Sequence, residues 1–169
     1  VTEDEPLRAW LSLGSNIEPR RHIQQALEDL RTHFGGLVVS PVYESVAVGC
    51  AGDNFYNLVV GIQTSLSIKV LMHRLKEIEQ QHGRRRSADK FAPRTLDIDL
   101  LTYGDRVVDG PEIQLPRDEI TRYAFVLRPL AEVAGNEVHP LTGLTYHELW
   151  EEFDQQAQPL WPVALTAPK

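Results

Sequence analysis

Two carboxylates one residue apart, Asp97 and Asp99, stand in the segment TLDIDLLTY (95–103), whose other residues are mostly apolar or β-branched. Side chains alternate faces along a strand, so the two aspartates share one face while Leu96, Ile98 and Leu100 share the other. Two residues of strand rise hold the like charges about 6–7 Å apart. Water on an open face or a bound cation must relieve that repulsion. Magnesium is the cation that suits the pair, because it takes hard oxygen ligands and binds through one or two carboxylates together with substrate phosphates. Two such ions about 3.5–4 Å apart can clamp the attacking and leaving oxygens of an in-line phosphoryl displacement.

The segment RRRSADKFAPR (84–94) precedes the pair and carries Arg84, Arg85, Arg86, Lys90 and Arg94 against Asp89 alone. Taken by itself it reads equally as a solvated charge run. Leading into two carboxylates, it is a candidate polyphosphate clamp, since guanidinium groups match phosphate oxygens in a two-pronged fit. Cations on one side and a metal on the other would meet most of what phosphoryl transfer needs, which is positioning and charge neutralisation. The chain has no G-x-x-x-x-G-K-[ST] and no G-x-G-x-x-G, which argues against P-loop and Rossmann nucleotide sites.

These groups need a scaffold. LRAWLSLG (7–14) reads as a strand ending in a turn, and the helix after it places Ile23, Ala26, Leu27, Leu30 and Phe34 on one face. Asn16 is its expected N-cap, with Pro19 in the first turn and Gly35-Gly36 as the stop. Gly14–Asn16 could also cradle an anion at a helix start, although a turn plus cap accounts for it. LVVSPVYESVAVG and NFYNLVVGIQTSL read as neighbouring strands. Ser67 then caps a helix whose stripe is Ile68, Leu71, Met72, Leu75 and Ile78. Glu79 projects from that stripe, either reaching solvent past its end or serving a purpose inside it. The order is β-α-β-β-α-β, an antiparallel sheet with two helices. Beyond it the pattern predicts an irregular hairpin over 104–116, one or two helical turns around Pro129, a helix capped by Thr145, and an extended tail over 154–169.

The whole chain sets bounds. Its 169 residues, 42% hydrophobic and 24% charged, predict one domain, with a folded core over about 7–153. A net charge of −7 argues against a general nucleic-acid binder, and the RNP-type aromatic pair of an RNA-binding sheet is missing. The single cysteine, Cys50, cannot form an internal disulfide and points to a reducing cytoplasm. The acidic start VTEDEPLRAW does not resemble a signal peptide, and no apolar run approaches the roughly 18 residues of a membrane span. A monomer with small-molecule partners is expected.

Six blocks, LSLGSNI, NFYNLVVGIQTSL, IEQQHGR, FAPRTLDIDLLTYGD, AFVLRPLAEVAG and HP, occur in this order over roughly residues 7–150. Together they resemble the 6-hydroxymethyl-7,8-dihydropterin pyrophosphokinases of folate biosynthesis, and P-R-T-L-D-[IL]-D is the most specific of the matches. The resemblance implies an α+β fold with a ferredoxin-like βαββαβ core and a C-terminal helical extension. It implies transfer of pyrophosphate from ATP to the pterin hydroxymethyl group, giving AMP, with two magnesium ions on Asp97 and Asp99. Arg84, Arg86, Lys90, Phe91 and Arg94 match the basic loop and strand entrance that close over ATP, Arg84 and Arg94 acting in catalysis beside the aspartates. Glu79 matches an acidic position near the nucleotide. Phe55 and Phe125 match the aromatics that sandwich the pterin, Asn57 its amide partner, and Ser45 and Val48 the loop that meets the ring.

Three positions depart from the pattern. Arg117 follows Leu115-Pro116 where the family usually has histidine, Tyr123 stands where arginine is usual, and Ser45-Val46 replaces a common Thr-Pro. Arg117, a permanent cation, is expected to meet the nucleotide phosphates. A diverged, non-catalytic paralogue that binds pterin or nucleotide is the alternative these departures leave open.

Overall fold

The computed structural model describes residues 5–46, 53–83 and 95–165. Strand β1 (Leu7–Ser15) leads into helix α1 (Pro19–Phe34), then short strands β2 (Val38–Val39) and β3 (Val42–Ser45), the long strand β4 (Phe55–Thr64), helix α2 (Ile68–Gln81) and strand β5 (Asp97–Tyr103). The hairpin β6 (Val108–Asp109) and β7 (Gln114–Leu115) forms a second small sheet. Helices α3 (Glu119–Arg122), α4 (Ala124–Ala134) and α5 (Tyr146–Glu152) and strand β8 (Leu160–Val163) complete the chain. The main sheet runs β5-β1-β4-β3-β8, with β2 also on β4, and every neighbour is antiparallel.

Helices cover both faces because alternate residues on the central strands are apolar on both sides. Ala9, Leu11 and Leu13 of β1 and Leu58, Val60 and Ile62 of β4 pack with Ile23, Leu27 and Leu30 of α1 and Leu71, Leu75 and Ile78 of α2. On the other face Trp10, Val59 and Leu101 pack against Val126, Leu127 and Leu130 of α4 and Tyr146 of α5. Trp10 lies across Gly61, its partner on β4, where an added Cβ would come within 2.6 Å of the ring. A register shift on β1 between Trp10 and Leu11 marks a bulge that lets β5 serve both cores. Among the described residues no helix is long and apolar enough to cross a membrane.

Ser67 caps α2 by accepting from the Val70 N–H at 3.3 Å, and Thr145 and Glu148 form a reciprocal capping box on α5, both as the sequence suggests. Asn16 does not cap α1: the N-cap is Glu18 in the left-handed region, φ 43°, and the Asn16 amide instead donates to the Asp53 carbonyl. The helical region around Pro129 is longer than one or two turns, with Pro129 inside α4. Its missing N–H and ring disfavour an internal position, and burial of Leu127, Leu130 and Ala134 outweighs that penalty. The tail is extended, yet it joins the main sheet as β8 against β3 rather than lying outside the core.

Candidate active site

Sheet register builds the site. Gly14 lies between Asp97 on β5 and Asn57 on β4, and Asn57 in turn faces Tyr43 on β3. Two residue pairs along, Ser12 sits opposite Asp99. Period-two alternation puts Asp97, Asp99, Gly14 and Asn57 on the face that carries α4, at the strand ends that helices leave open. A Cβ at Gly14 would come within 2.7 Å of the Asn57 amide nitrogen, so glycine is what lets that side chain lie across the sheet. Asn57 is 8% exposed, and its Oδ1 finds no hydrogen-bond partner among the described residues. An orphaned buried carbonyl oxygen is costly unless a ligand N–H meets it.

Glu79 does not reach solvent. It is 5% exposed, and its Oε2 accepts the backbone N–H of Ile98 at 2.7 Å. Because β5 is a sheet edge, that N–H has no strand to pair with, and the carboxylate fixes the backbone midway between the two aspartates. Burial, and then the Asp97 carboxylate beside it, pushes the Asp99 carboxyl well above the usual range, to about 7. A pair in that state favours a cation.

Arg117 supplies part of the positive charge. Its backbone N–H donates to the Leu101 carbonyl at 2.9 Å, and its guanidinium donates through Nε and Nη2 to Glu119 Oε2, the Nε bond being 2.9 Å. Burial works against its charge, but Asp99 and Glu119 outweigh burial and raise its pKa above the ordinary value. Arg122 is paired with Asp118 at 3.0 Å and remains exposed. Tyr123 instead stacks on Phe125, with ring centroids 5.0 Å apart and planes 15° apart.

A cavity of about 90 Å³ opens beside the aspartates, with apolar walls from Met72, Leu75, Leu100 and Ile113 and with Asp99 and Arg117 also in its lining. Phe55 and Phe125 are both half-buried, and Ser45 pairs with Phe55 across β3 and β4. The described structure thus brings Glu79, Asp97, Asp99 and Arg117 into one region and Asn57, Phe55 and Ser45 onto adjoining strand ends. Val48, Arg84, Arg86, Lys90, Phe91 and Arg94, together with Cys50, lie outside the described residues. Sequence reasoning missed Gly14 as a register residue and Glu119 as the partner of Arg117. The R-x-E spacing at 117–119 was the available signal for the second, and nothing local marked the first.

Comparison with known proteins decides the family. The model for 7,8-dihydro-6-hydroxymethylpterin-pyrophosphokinase matches residues 10–135. The chain belongs to this family. A 2-amino-4-hydroxy-6-hydroxymethyldihydropteridine pyrophosphokinase of Synechocystis is 39% identical over 159 residues, covering 92% of this chain and 80% of the relative. Its counterpart in Pseudomonas aeruginosa is 40% identical over 131 residues, covering 75% and 80%. Among solved structures, wild-type HPPK-DHPS of Plasmodium falciparum superposes with a TM-score of 0.67 at 14% identity, covering 90% of this chain and 45% of that one. This chain spans less than half of that longer protein, and the likeness concerns the fold alone.

Proposed function

We propose that this chain, as a member of the pyrophosphokinase family, transfers pyrophosphate from ATP to the hydroxymethyl group of 6-hydroxymethyl-7,8-dihydropterin, releasing AMP, in folate biosynthesis. The observation that supports this reading is the row Asp97–Gly14–Asn57, with a carboxylate and an amide oxygen that has no partner among the described residues on one face two strands apart. Asn57 Oδ1 accepts a ring N–H of the pterin, whose flat faces rest on Phe55 and Phe125, with Ser45 and Val48 at its edge. The apolar wall of the cavity between α2 and β5, formed by Met72, Leu75 and Leu100, takes the nucleotide base. Arg117 and the basic segment with Arg84, Arg86, Lys90, Phe91 and Arg94 hold the phosphates and exclude water.

Asp97 and Asp99 hold magnesium, and two ions fit our reading. The donor set suits it: two hard carboxylates, one with its pKa raised by burial and its neighbour. Among the described residues no cluster of three or more His, Cys, Asp or Glu side chains could hold a metal, and the reading rests on the aspartate pair itself. Bound magnesium supplies charge neutralisation at the phosphates and makes the hydroxyl a better nucleophile. Glu79 keeps the strand between the ligands in place. The strand order β5-β1-β4-β3 supports a ferredoxin-like core, read here as one domain with a C-terminal extension. The single cysteine and acidic net charge support a cytoplasmic monomer whose partners are small molecules rather than nucleic acid or membrane.

AMP release from ATP, magnesium and the pterin tests this. Asp97→Ala or Asp99→Ala should lower turnover by on the order of 10³-fold or more while far-ultraviolet circular dichroism stays unchanged. AMP release near that of the unsubstituted protein would overturn the mechanism. The Arg117–Glu119 pair and Tyr123 favour a second reading, binding without catalysis. That reading requires calorimetric binding of both ligands by a protein that produces no AMP.

A further inference from the structure

The tail, outside the 10–135 stretch that matches the family, bonds to α4 and β3 and, through Glu44, is linked to the residue before β4, the elements assigned above to the pterin. Gln158 reaches the junction of α3 and α4 with both ends of its amide. Its Oε1 accepts the Ala124 N–H at 2.9 Å, and its Nε2 donates to the Arg122 carbonyl at 2.9 Å. Ala124 opens α4, and Tyr123 at the N-cap provides no side-chain acceptor, so Gln158 satisfies one of the N–H groups that a helix start leaves unpaired. The two bonds bracket Tyr123, whose ring stacks on Phe125. Two residues later Leu160 pairs with Ser45 at the end of β3. Next to it Trp161 donates from Nε1 to Glu44 Oε1 at 3.1 Å, while the other oxygen of Glu44 accepts from Asn54 at 3.1 Å, immediately before Phe55. The far end of the strand is tied down by Arg20 donating to the Ala164 carbonyl at 3.1 Å.

Four residues of tail therefore hold the backbone next to Phe125 through Gln158, pair with Ser45 through Leu160, and reach the residue before Phe55 through Trp161 by way of Glu44. We propose that the segment Gln158–Trp161 is a positioning clamp for the pterin pocket, setting the spacing of its two aromatic walls, with Gln158 as the chief positioning residue. The proposal rests on the pterin reading of Phe55, Asn57 and Phe125 given above. Gln158 touches neither substrate. Its effect is on how well the pocket is pre-formed, and a loss of pre-organisation appears in the affinity of the ligand concerned. Among the described residues none of the tail lines the cavity assigned to the nucleotide, which α2, β5, Ile113 and Arg117 build, so ATP affinity should not follow.

The test uses the full chain. In Gln158→Ala the KM for pterin should rise about 5–10-fold, as loss of one to two hydrogen bonds implies, with kcat and the KM for ATP within about twofold of the starting protein. Trp161→Phe, which keeps the ring and removes the donor, should raise the pterin KM by about 2–4-fold. Gln158→Glu keeps the acceptor for Ala124 and loses the donor to Arg122, and should fall between Gln158→Ala and the unsubstituted chain. An unchanged pterin KM in Gln158→Ala, or equal rises in both KM values, overturns the clamp. Amide hydrogen exchange at 123–126 reads it without substrate: faster exchange confined to that segment in Gln158→Ala supports it, and unchanged exchange overturns it. Failure of the unsubstituted protein to turn over the pterin, by contrast, overturns the reading of the pocket itself.

Discussion

The two faces of the main sheet use the same strands for different ends. Beneath α1 and α2 the face is apolar: Leu11, Leu13, Leu58, Ile62 and Ile98 are buried within one cluster, which opens at the α2–β5 edge where the cavity lies. The opposite face is closed only in part. Trp10, Val59 and Leu101 meet α4 and α5, while the strand ends beyond them carry Asp97, Asp99, Gly14 and Asn57. Ile98 belongs to the closed face and its two neighbours to the open one, so a rigid hydrophobic strand aims two charges that would be intolerable one residue out of register. Stability and chemistry are separated by side-chain parity rather than by distance along the chain.

This contrast can be broken from the closed side most severely. Leu11 is fully buried, and Leu11→Ala should cost about 2–5 kcal/mol in denaturant unfolding, with the pterin KM of the folded fraction unchanged. On the open side a substitution should have the opposite sign. Asp99 carries a raised pKa, so between the ordinary carboxylate value of 3.8 and about 7 the folded chain holds a proton that the unfolded chain releases, and stability falls as pH rises through that window. Asp99→Asn should therefore raise the metal-free unfolding midpoint above about pH 7 by about 2–4 °C, with the gain disappearing toward pH 3.8. A loss of stability at neutral pH, measured by calorimetry without magnesium, would show that the two faces are not divided in this way.

The smallest effect sharpens the comparison at the edge of the closed face. His22 on α1 meets His82, the C-cap of α2, with Nδ1 to Nδ1 at 2.9 Å, and His82 Nε2 lies 3.1 Å from Asp29 Oδ2. Burial, then His82 and Arg21, lower the His22 pKa, against a weaker opposite pull from Glu18. The contribution of His22 is thus fully present above its ordinary value of 6.5 and is lost as pH falls through the lowered folded value. His22→Gln should flatten the stability profile below pH 6.5 and leave it unchanged above. An unaltered slope would show that the imidazole does not report on this contact.

Much of this was legible in the residues alone. The helical stripes of α1 and α2, the caps at Ser67 and Thr145, and the shared face of Asp97 and Asp99 follow from local periodicity, which depends only on residues a few positions apart. The oddity of Glu79 was visible too, as a carboxylate on an apolar stripe, although its partner was not. Pro129 and the tail misled because local rules price a helix-interior proline or a proline-bearing strand without the burial or edge position that tertiary structure supplies.

By itself, then, the sequence determined which residues share a face, where the basic segment meets the acidic pair, and which family the motifs resemble. Tertiary structure alone decided that Gly14 stands between Asp97 and Asn57, that Glu79 holds the Ile98 amide, that Glu119 holds Arg117, and that Gln158 reaches Ala124. Most of these join positions far apart in the chain, and sheet register and helix docking set even the short Arg117–Glu119 pair beside Asp99. A one-residue change of register would leave every local pattern intact while turning the aspartates into the core.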